Sequence, residues 1–265
     1  MNTQDKLKQI VKDKYGKIAL SNNSGCCGSS GEPDYSIFND DYSKLDGYTV
    51  EADLNLGCGI PTEFAGIKEG NTVLDLGCGA GNDVFVARQL VGDSGKVIGL
   101  DFTEEMIAKA KANNQKLGYD NVEFYLGDIE EMPFEQNSID VIISNCVLNL
   151  VPNKQKAFAE IYRTLTPGGH FCVSDIVIKG EISDELRASA ELYAGCVTGA
   201  MNEDEYIGLI KETGFVEVEI KKSKEIVIPD SMLESILSEQ EIDIFKNSFN
   251  GIFSITVVGK KNSLK

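Results

Sequence analysis

From residue 71 onward, short runs of β-branched and aliphatic residues alternate with longer stretches whose apolar residues recur at helical spacing. This alternation is typical of βαβ units, in which consecutive strands lie parallel and helices cover the sheet. The pattern therefore predicts an α/β domain. The predicted strands are 72–76, 96–100, 122–126, 139–144, 170–175, 216–221 and 252–258, and the predicted helices are 82–90, 103–117, 154–165, 183–194, 203–213 and a stretch near 232–237.

The 265 residues are enough for one large domain, or for one domain with a small appendage. Residues 1–50 are polar and rich in turn-forming residues, so we interpret them as an N-terminal arm or lid. Residues 51–265 are predicted to form the main domain. That domain carries an insertion at about 176–205, interpreted as substrate-binding, and a C-terminal extension.

The formal net charge is −17, and the sequence shows no stripe of Lys and Arg. Proteins that bind nucleic acids need such clusters to displace counterions from phosphates, and binding to an anionic membrane surface needs them too. We therefore expect neither nucleic-acid nor membrane partners. Residues 1–20 lack the apolar run of a signal peptide, and no segment approaches the roughly 18–20 apolar residues of a membrane span. We predict a cytoplasmic monomer with reduced thiols.

A glycine loop, GCGAG, joins the first predicted strand to the first predicted helix at residues 77–81. Glycines let a ligand approach the backbone beside the partial positive charge of a helix start. The spacing is GxGxG, whereas dinucleotide-binding proteins carry GxGxxG. Asp101 ends the second strand, where a carboxylate can bind ribose hydroxyls, and Asp128 ends the third, where a polar group can meet an adenine edge. The residues predicted to bind the cofactor are Asp75, Gly77, Gly79, Gly81, Asp101, Phe102, Asp128, Ile129 and Asn145.

This combination resembles the class I S-adenosylmethionine methyltransferases over about residues 70–260. The resemblance implies S-adenosylmethionine as the cofactor. It also implies a Rossmann-like fold, with a seven-stranded, mostly parallel sheet and helices on both faces. In that family the last strand runs antiparallel to the others, and the predicted strand 252–258 fits that position.

The chain contains seven cysteines, no CxxC pair and a single histidine, His170, so the common zinc-site patterns are absent. Cysteine is often only a small buried residue. That interpretation fits Cys172, inside a predicted strand, and Cys78, inside the glycine loop. The other cysteines lie in loops, at a strand end or in the insertion, and position alone leaves open whether they share a site. They are Cys26, Cys27, Cys58, Cys146 and Cys196.

The strings NLGCGIP, SNCVLNL and GCVTGA, with TVLDLGCGAG between them, resemble the arsenite methyltransferases from about residue 24 to residue 220. Two positions depart from the usual pattern, because Cys78 stands where serine is more common and Asp128 where glutamate is often found. The resemblance implies a redox relay that a thiol reductant, glutathione or thioredoxin, regenerates as co-substrate. The implied arsenic ligands are Cys146 and Cys196, with Cys58 as the third. The implied relay cysteine is either Cys26 or Cys27.

The residue types suit this chemistry. Trivalent arsenic is soft, so thiolates bind it better than oxygen or imidazole ligands do. Three thiolates leave the arsenic lone pair available to a methyl group, and no general base is needed in a chain with one histidine. The predicted function is methylation of arsenite and then of methylarsenite, for arsenic detoxification.

Two other functions remain open on the sequence. One is methylation of a small organic acceptor, such as a quinone or phenol, which would give the cysteines only a packing role. The other is binding of a metalloid without methyl transfer, as in a sensor. Sensors usually carry a basic DNA-reading helix, and none is visible here.

Overall fold

The chain was studied as a computed structural model, which describes residues 3–20, 40–180, 199–227, 233–234, 237–247 and 251–263. The strands are β1 Thr72–Leu76, β2 Lys96–Asp101, β3 Val122–Leu126, β4 Ile139–Asn145, β5 Leu165–Lys179, β6 Val216–Glu225 and β7 Gly251–Lys260. The longer helices of these ranges are α1 Thr3–Leu20, α2 Asn82–Val91, α3 Glu104–Leu117, α4 Lys154–Thr164, α5 Glu203–Glu212 and α6 Glu239–Asn247. Short 3₁₀ helices occupy Pro61–Glu63 and Leu148–Leu150.

The strands form one sheet in the order β3-β2-β1-β4-β5-β7-β6. Strands β1 to β5 pair in parallel, whereas β7 lies antiparallel between β5 and β6. The chain moves outward in one direction from β1 and in the other from β4, so a crevice opens between the carboxyl ends of these two strands. The predicted seven-stranded fold with an antiparallel last strand is confirmed.

Alternate residues of the strands face two hydrophobic cores, one on each side of the sheet. Leu74 and Leu76 of β1 belong to the same core as Phe158 of α4, and Val73 belongs to the opposite core with Phe85 of α2. All five side chains are fully buried, and each contributes about 1.5–3 kcal/mol of transfer free energy. Helices therefore cover both faces, and the sheet is a firm base for the loops at its carboxyl edge.

Strand β5 is longer at both ends than the predicted strand 170–175. Leu165 already pairs with Ile139 of β4, ahead of an irregularity in the register. At the other end β5 continues to Lys179, which pairs with Gly251 of β7. Residues 176–179, predicted to begin the insertion, therefore belong to the sheet. The predicted helix 183–194 lies outside the described residues.

The N-terminal arm contains a helix that the sequence pattern did not predict. Helix α1 has 18 residues and only a few apolar ones that reach the main domain, among them Tyr15, Ile18 and Ala19. Its C-terminal end is held by Lys109 of α3, whose ammonium group donates to the carbonyl of Ala19 at 3.3 Å. A cation at that end also favours the helix dipole. Helix α1 is thus fixed by packing on α3 rather than by its own periodicity.

In the C-terminal region, the helix α6 begins at Glu239, after the stretch near 232–237 that was predicted to be helical. Of the predicted helical stretch near 232–237, residues 233–234 are helical, and residues 232, 235 and 236 lie outside the described ranges. The continuous helix is α6. Across the part of the chain that the structure describes, no helix combines the length and apolar character needed to cross a membrane.

Candidate active site

The glycine loop between β1 and α2 is pinned to the end of β2. The backbone N–H groups of Gly77 and Cys78 both donate to the carbonyl of Leu100, at 2.7 and 3.0 Å. Gly77 has a φ of +68°, and a Cβ atom there would lie 2.5 Å from the side chain of Val147. Only glycine fits this position, because both the backbone angle and the space exclude a side chain.

Gly81 caps α2 with a φ of +100°, and a Cβ atom there would lie 2.9 Å from the ring of Phe85. It is not among the residues that line the cavity that the rest of the loop faces. Gly81 thus allows the chain to enter α2 over a buried aromatic ring, and its contact with the cofactor stays a prediction.

Asp101, at the end of β2, ties the glycine loop to the start of α3. One carboxylate oxygen accepts the N–H of Gly79 at 3.0 Å, and the other accepts the N–H of Thr103 at 2.8 Å. Burial raises the pKa of Asp101, and these N–H donors act in the opposite direction. Each carboxylate oxygen can still accept a further bond from a ligand hydroxyl.

One cavity opens at the carboxyl edge of the sheet, in the crevice between β1 and β4. It is lined by eight of the nine residues predicted to bind the cofactor, all except Gly81. Cys146, predicted as an arsenic ligand, lines the same cavity. Cys58 follows directly on another lining residue, Gly57. The glycine loop and the predicted thiol site therefore face one common space.

Three buried carboxyl groups, those of Asp75, Asp83 and Asp101, line this cavity. Burial raises the pKa of Asp83 to about 6, despite hydrogen bonds from Asn145 and Tyr42 that lower it. Burial raises the pKa of Asp75 well above its usual range, and the neighbouring charges of Asp83 and Asp101 raise it further. A group of carboxyls held in this way favours a cationic ligand, which would stabilise their ionised forms.

Helix α1 forms one wall of the cavity through Lys8, Val11 and Tyr15. The ammonium group of Lys8 lies 2.6 Å from the carboxylate of Asp128 and 3.0 Å from that of Glu130. Asp128 was predicted to meet an adenine edge. In the structure its other oxygen accepts the N–H of Glu130 at 2.9 Å, so protein groups engage both oxygens even though the residue lines the cavity.

The side chain of Asn145 ends in a polar network at the carboxyl end of β4. Its Oδ1 accepts the backbone N–H of Cys58 at 3.0 Å. Its Nδ2 lies 2.8 Å from both the Tyr42 hydroxyl and the Gly59 carbonyl, and 3.1 Å from the Asp83 carboxylate. The Tyr42 hydroxyl lies 2.8 Å from Asp83 and 2.9 Å from the Gly59 carbonyl. Asn145 was predicted as a cofactor contact, but both ends of its amide bind protein groups.

Cys58 and Cys146 are both buried near the ends of β4, β5 and β7. The N–H of Cys146 donates to the carbonyl of Ser174 on β5 at 2.7 Å, and the carbonyl of Cys58 accepts from the hydroxyl of Ser254 on β7. These two bonds hold both cysteines against β5 and β7 at the carboxyl edge of the sheet.

The backbone at both cysteines is unusual. Cys146 has a φ of +61°, a left-handed conformation that costs a non-glycine residue roughly 1–3 kcal/mol and is found most often at functional sites. Glycines flank Cys58 on both sides. A Cβ atom on Gly57 would lie 2.7 Å from the amide of Asn145, and one on Gly59 would lie 2.5 Å from the hydroxyl of Ser174. The glycines thus let the Cys58 loop approach the ends of β4 and β5.

Comparison with known proteins identifies the family. Residues 67–214 match the family described as a methyltransferase domain. The arsenite methyltransferase of Halobacterium salinarum is 41% identical over 239 residues, which cover 83% of this chain and 60% of that protein. The arsenite methyltransferase of Aquipseudomonas alcaligenes is 33% identical over 246 residues, which cover 88% of this chain and 69% of that protein. This chain belongs to the arsenite methyltransferase family.

A solved structure agrees with this assignment. The crystal structure of an arsenic(III) S-adenosylmethionine methyltransferase from Chlamydomonas reinhardtii superposes with a TM-score of 0.66 at 35% identity, covering 78% of this chain and 68% of that one. The chain thus spans 60 to 69% of the length of these arsenite methyltransferases. The family resemblance drawn from the cysteine-bearing strings is confirmed.

Three cysteines of the predicted arsenite methyltransferase site, Cys26, Cys27 and Cys196, lie outside the described residues. Within the described ranges, no three or more His, Cys, Asp or Glu side chains converge on a possible metal position. The described part of the predicted arsenic site is therefore the pair Cys58 and Cys146.

The two cysteines predicted to be structural are both buried. Cys172 is fully enclosed in the core on the α2 and α3 side of the sheet, and burial raises its pKa. Cys78 belongs to the glycine loop and is among the residues that line the cavity, and a Cβ atom on Gly99 would be 2.7 Å from its sulfur. Burial raises its pKa as well, and the charge of Asp101 raises it further. Neither thiol is readily ionised, which agrees with a packing role.

Lys8, Tyr42 and Asp83 are among the polar residues of the cavity that sequence reasoning missed. Asp83 could have been noticed, because it is a charged residue in the first turn of α2, followed directly by the apolar run Val84–Ala87. Lys8 and Tyr42 carry no local signal. Tyr42 meets Asn145 across 103 residues of sequence, and Lys8 meets Asp128 across 120. Only the folded chain brings these pairs together.

Proposed function

We propose that this chain transfers methyl groups from S-adenosylmethionine to trivalent arsenic, first to arsenite and then to methylarsenite. One observation carries the proposal: Cys146 lines the same cavity as Asp101 and the glycine loop. A thiol and a nucleoside-binding edge in one space suit a reaction between a thiophilic substrate and a nucleoside cofactor. The names of the related proteins support the same assignment.

The cavity fits S-adenosylmethionine by its donor set. The Oδ1 atom of Asn82 is buried in the lining and has no hydrogen-bond partner among the described residues, as expected for a ligand-facing acceptor. Asp101 would bind the ribose hydroxyls, and the carboxyls of Asp75 and Asp83 would favour the positive charges of the ligand. When bound, the cofactor supplies a methyl group activated by a sulfonium ion. The glycine loop brings backbone N–H groups and a helix start to the site.

Cys146, Cys58 and Cys196 would hold the arsenic. The third of these is three residues before Gly199, and the Gly199 backbone packs against the carbonyl of Asn149, three residues beyond Cys146. Cys196 itself lies outside the described residues, and its place among the ligands rests on the family resemblance. Thiolates fix the arsenic and leave its lone pair unshared. Catalysis would then rest on positioning and on exclusion of water.

Cys26 and Cys27 would act in a redox relay. Each methylation formally oxidises arsenic by two electrons, and two thiols can return those electrons by forming one disulfide. A thiol reductant, such as glutathione or thioredoxin, would then reduce that disulfide. This part of the proposal rests on the family resemblance and on the reduced cytoplasmic setting expected from the sequence.

Cofactor affinity should rise with pH between about 5 and 7. The raised pKa values mean that Asp75, Asp83 and Asp101 retain protons more readily in the cofactor-free protein, with Asp83 titrating near 6. A cationic ligand stabilises the ionised forms, so binding below this pH expels protons and is weakened. Each proton released corresponds to a tenfold change in affinity per pH unit.

Calorimetry of S-adenosylmethionine binding in buffers of different ionisation enthalpy measures both the affinity and the protons released. Adenosine is the control ligand, because it keeps the ribose that Asp101 would bind but lacks the cationic groups, and its affinity should depend less steeply on pH. A flat profile for S-adenosylmethionine itself would contradict the carboxyl assignment.

The function is tested by incubating the purified protein with arsenite, S-adenosylmethionine and a thiol reductant, and by separating the arsenic products. Methylarsenic species should form, in step with S-adenosylhomocysteine. Formation of neither product from arsenite, with methylation of an added quinone or phenol, would favour the organic acceptor. Tight arsenite binding with no methyl transfer would favour a binding protein.

A further inference from the structure

The Cys58 loop has no strand or helix of its own to fix its distance from Cys146. Residues 53–60 contain no regular element, and the strand β1 begins only at Thr72. Cys146, in contrast, directly follows β4 and is bonded to β5. Two thiolates that share one arsenic atom must be held at a defined separation. Side chains of other elements must therefore position the loop, and Ser254 of β7, which donates to the Cys58 carbonyl, supplies one such contact.

Asn145 is placed to do this. It precedes Cys146 in the chain, and its Oδ1 accepts the N–H of Cys58 at 3.0 Å. Asn145 thus connects the two predicted ligands: it is the chain neighbour of Cys146, and its side chain binds Cys58 by a hydrogen bond. Its Nδ2 reaches the carbonyl of Gly59 at 2.8 Å, so the loop is held on both sides of Cys58.

The orientation of the Asn145 amide is set by two further residues. Besides the Gly59 carbonyl, Nδ2 has two acceptors within reach, the hydroxyl of Tyr42 at 2.8 Å and the carboxylate of Asp83 at 3.1 Å. Its two hydrogens are shared among these three acceptors. These acceptors require the nitrogen on that side, which leaves the oxygen facing Cys58. Tyr42 and Asp83 are both buried, so water does not compete strongly for these bonds.

We propose that Asn145, held by Tyr42 and Asp83, is a positioning residue that fixes the Cys58 loop against Cys146 for arsenic binding. The inference rests on the proposed function, because it takes Cys58 and Cys146 as arsenic ligands. It assigns Tyr42 and Asp83 a role through Asn145 and places no arsenic contact on them. The glycines flanking Cys58 fit this role, since a side chain at Gly57 would displace the amide of Asn145.

The test compares Tyr42→Phe and Asn145→Ala with the unmodified protein. Partners that orient metal ligands change affinity by about 10- to 100-fold when they are removed, and we expect a weakening of arsenite binding in that range. X-ray absorption should show one fewer As–S bond than in the unmodified protein, as in Cys58→Ala. Affinity for S-adenosylhomocysteine, measured by calorimetry, should fall by a smaller factor than affinity for arsenite, because both ends of the Asn145 amide bind protein groups. A purely structural defect would not separate these two affinities.

Tyr119→Phe is the matched control, because the Tyr119 hydroxyl accepts a single surface hydrogen bond, from Gln89 at 2.8 Å. It should keep both affinities. If Asn145→Ala does not fold, Tyr42→Phe alone tests the positioning role, since it removes one hydroxyl and keeps the ring. Unchanged arsenite affinity and As–S count in Tyr42→Phe would overturn the inference, as would a parallel loss of arsenite and cofactor affinity. Absence of arsenite binding in the unmodified protein would instead overturn the proposed function.

Discussion

Cys146→Ser should reduce methylation of both arsenite and methylarsenite by well over 100-fold. A serine hydroxyl is a harder ligand and is not ionised at neutral pH, so it cannot replace a thiolate on arsenic. Loss of a group that only orients a ligand already costs about 10- to 100-fold, and loss of the ligand itself should cost more. The position of Cys146 is fixed, because the residue directly follows β4 and its N–H donates to the carbonyl of Ser174.

Cys58→Ser should be more selective. A methylated arsenic has one bond fewer available for thiols, so two protein ligands suffice in the second round. We therefore expect a large loss with arsenite and a smaller loss with methylarsenite. The same selectivity is expected of Cys26→Ser/Cys27→Ser if the N-terminal cysteines serve inorganic arsenite. Cys196→Ser should behave like Cys146→Ser on both substrates.

The measurement is the initial rate with each arsenical, at saturating cofactor, for variants shown by circular dichroism to be folded. Cys172→Ala is the matched control, because it also removes a buried thiol from the same sheet, but from the middle of β5 within the helix-covered core. It should retain activity after allowance for lost stability. Wild-type rates on both substrates in Cys146→Ser would rule out the thiol site. Equal losses on both substrates in Cys58→Ser would contradict only the prediction that Cys58 matters more for arsenite than for methylarsenite.

The fold could be predicted where local patterning and burial agree. Strands β1 and β4 are buried over most of their length on both faces and consist largely of aliphatic residues, which is the pattern of a central parallel strand. Helix α1 could not be predicted in this way, since most of its surface is polar and few of its residues reach the core. The extra length of β5 depends on pairing with β7, a contact between segments about 80 residues apart.

The candidate site was predictable at the strand ends for a topological reason. Carboxyl ends of parallel strands meet at one edge, so Asp75, Asp101 and Asn145 had to lie near one another. Their partners were not predictable, because these come from distant segments. Asn145 binds the Cys58 loop, and Asp128 binds Lys8 of a helix that was not foreseen. Sequence position thus indicated which residues lie at the same edge of the sheet, and the structure shows which groups each of them binds.

Asp101→Ala should weaken binding of S-adenosylmethionine by about 10- to 150-fold for each ribose hydrogen bond lost. A hydrogen bond to a charged group contributes roughly 1.5–3 kcal/mol, which corresponds to that range of affinity. The structure adds a second reason for a large effect. Asp101 also accepts the N–H of Gly79, so its removal releases the glycine loop that faces the same cavity. Arsenite binding should change little, because Cys58 and Cys146 are held by β4, β5 and β7.

Asp101→Asn separates these two contributions. The amide can keep one acceptor, but its NH₂ group then faces either the N–H of Gly79 or that of Thr103, where the carboxylate had an oxygen. We expect a loss of affinity close to that of Asp101→Ala. Asp93→Ala is the control, since it removes an exposed carboxylate that pairs only with Arg88 at the surface, and it should bind the cofactor normally. Calorimetry of S-adenosylmethionine and S-adenosylhomocysteine binding gives the affinities. Unchanged affinity in Asp101→Ala would place the ribose elsewhere in the cavity.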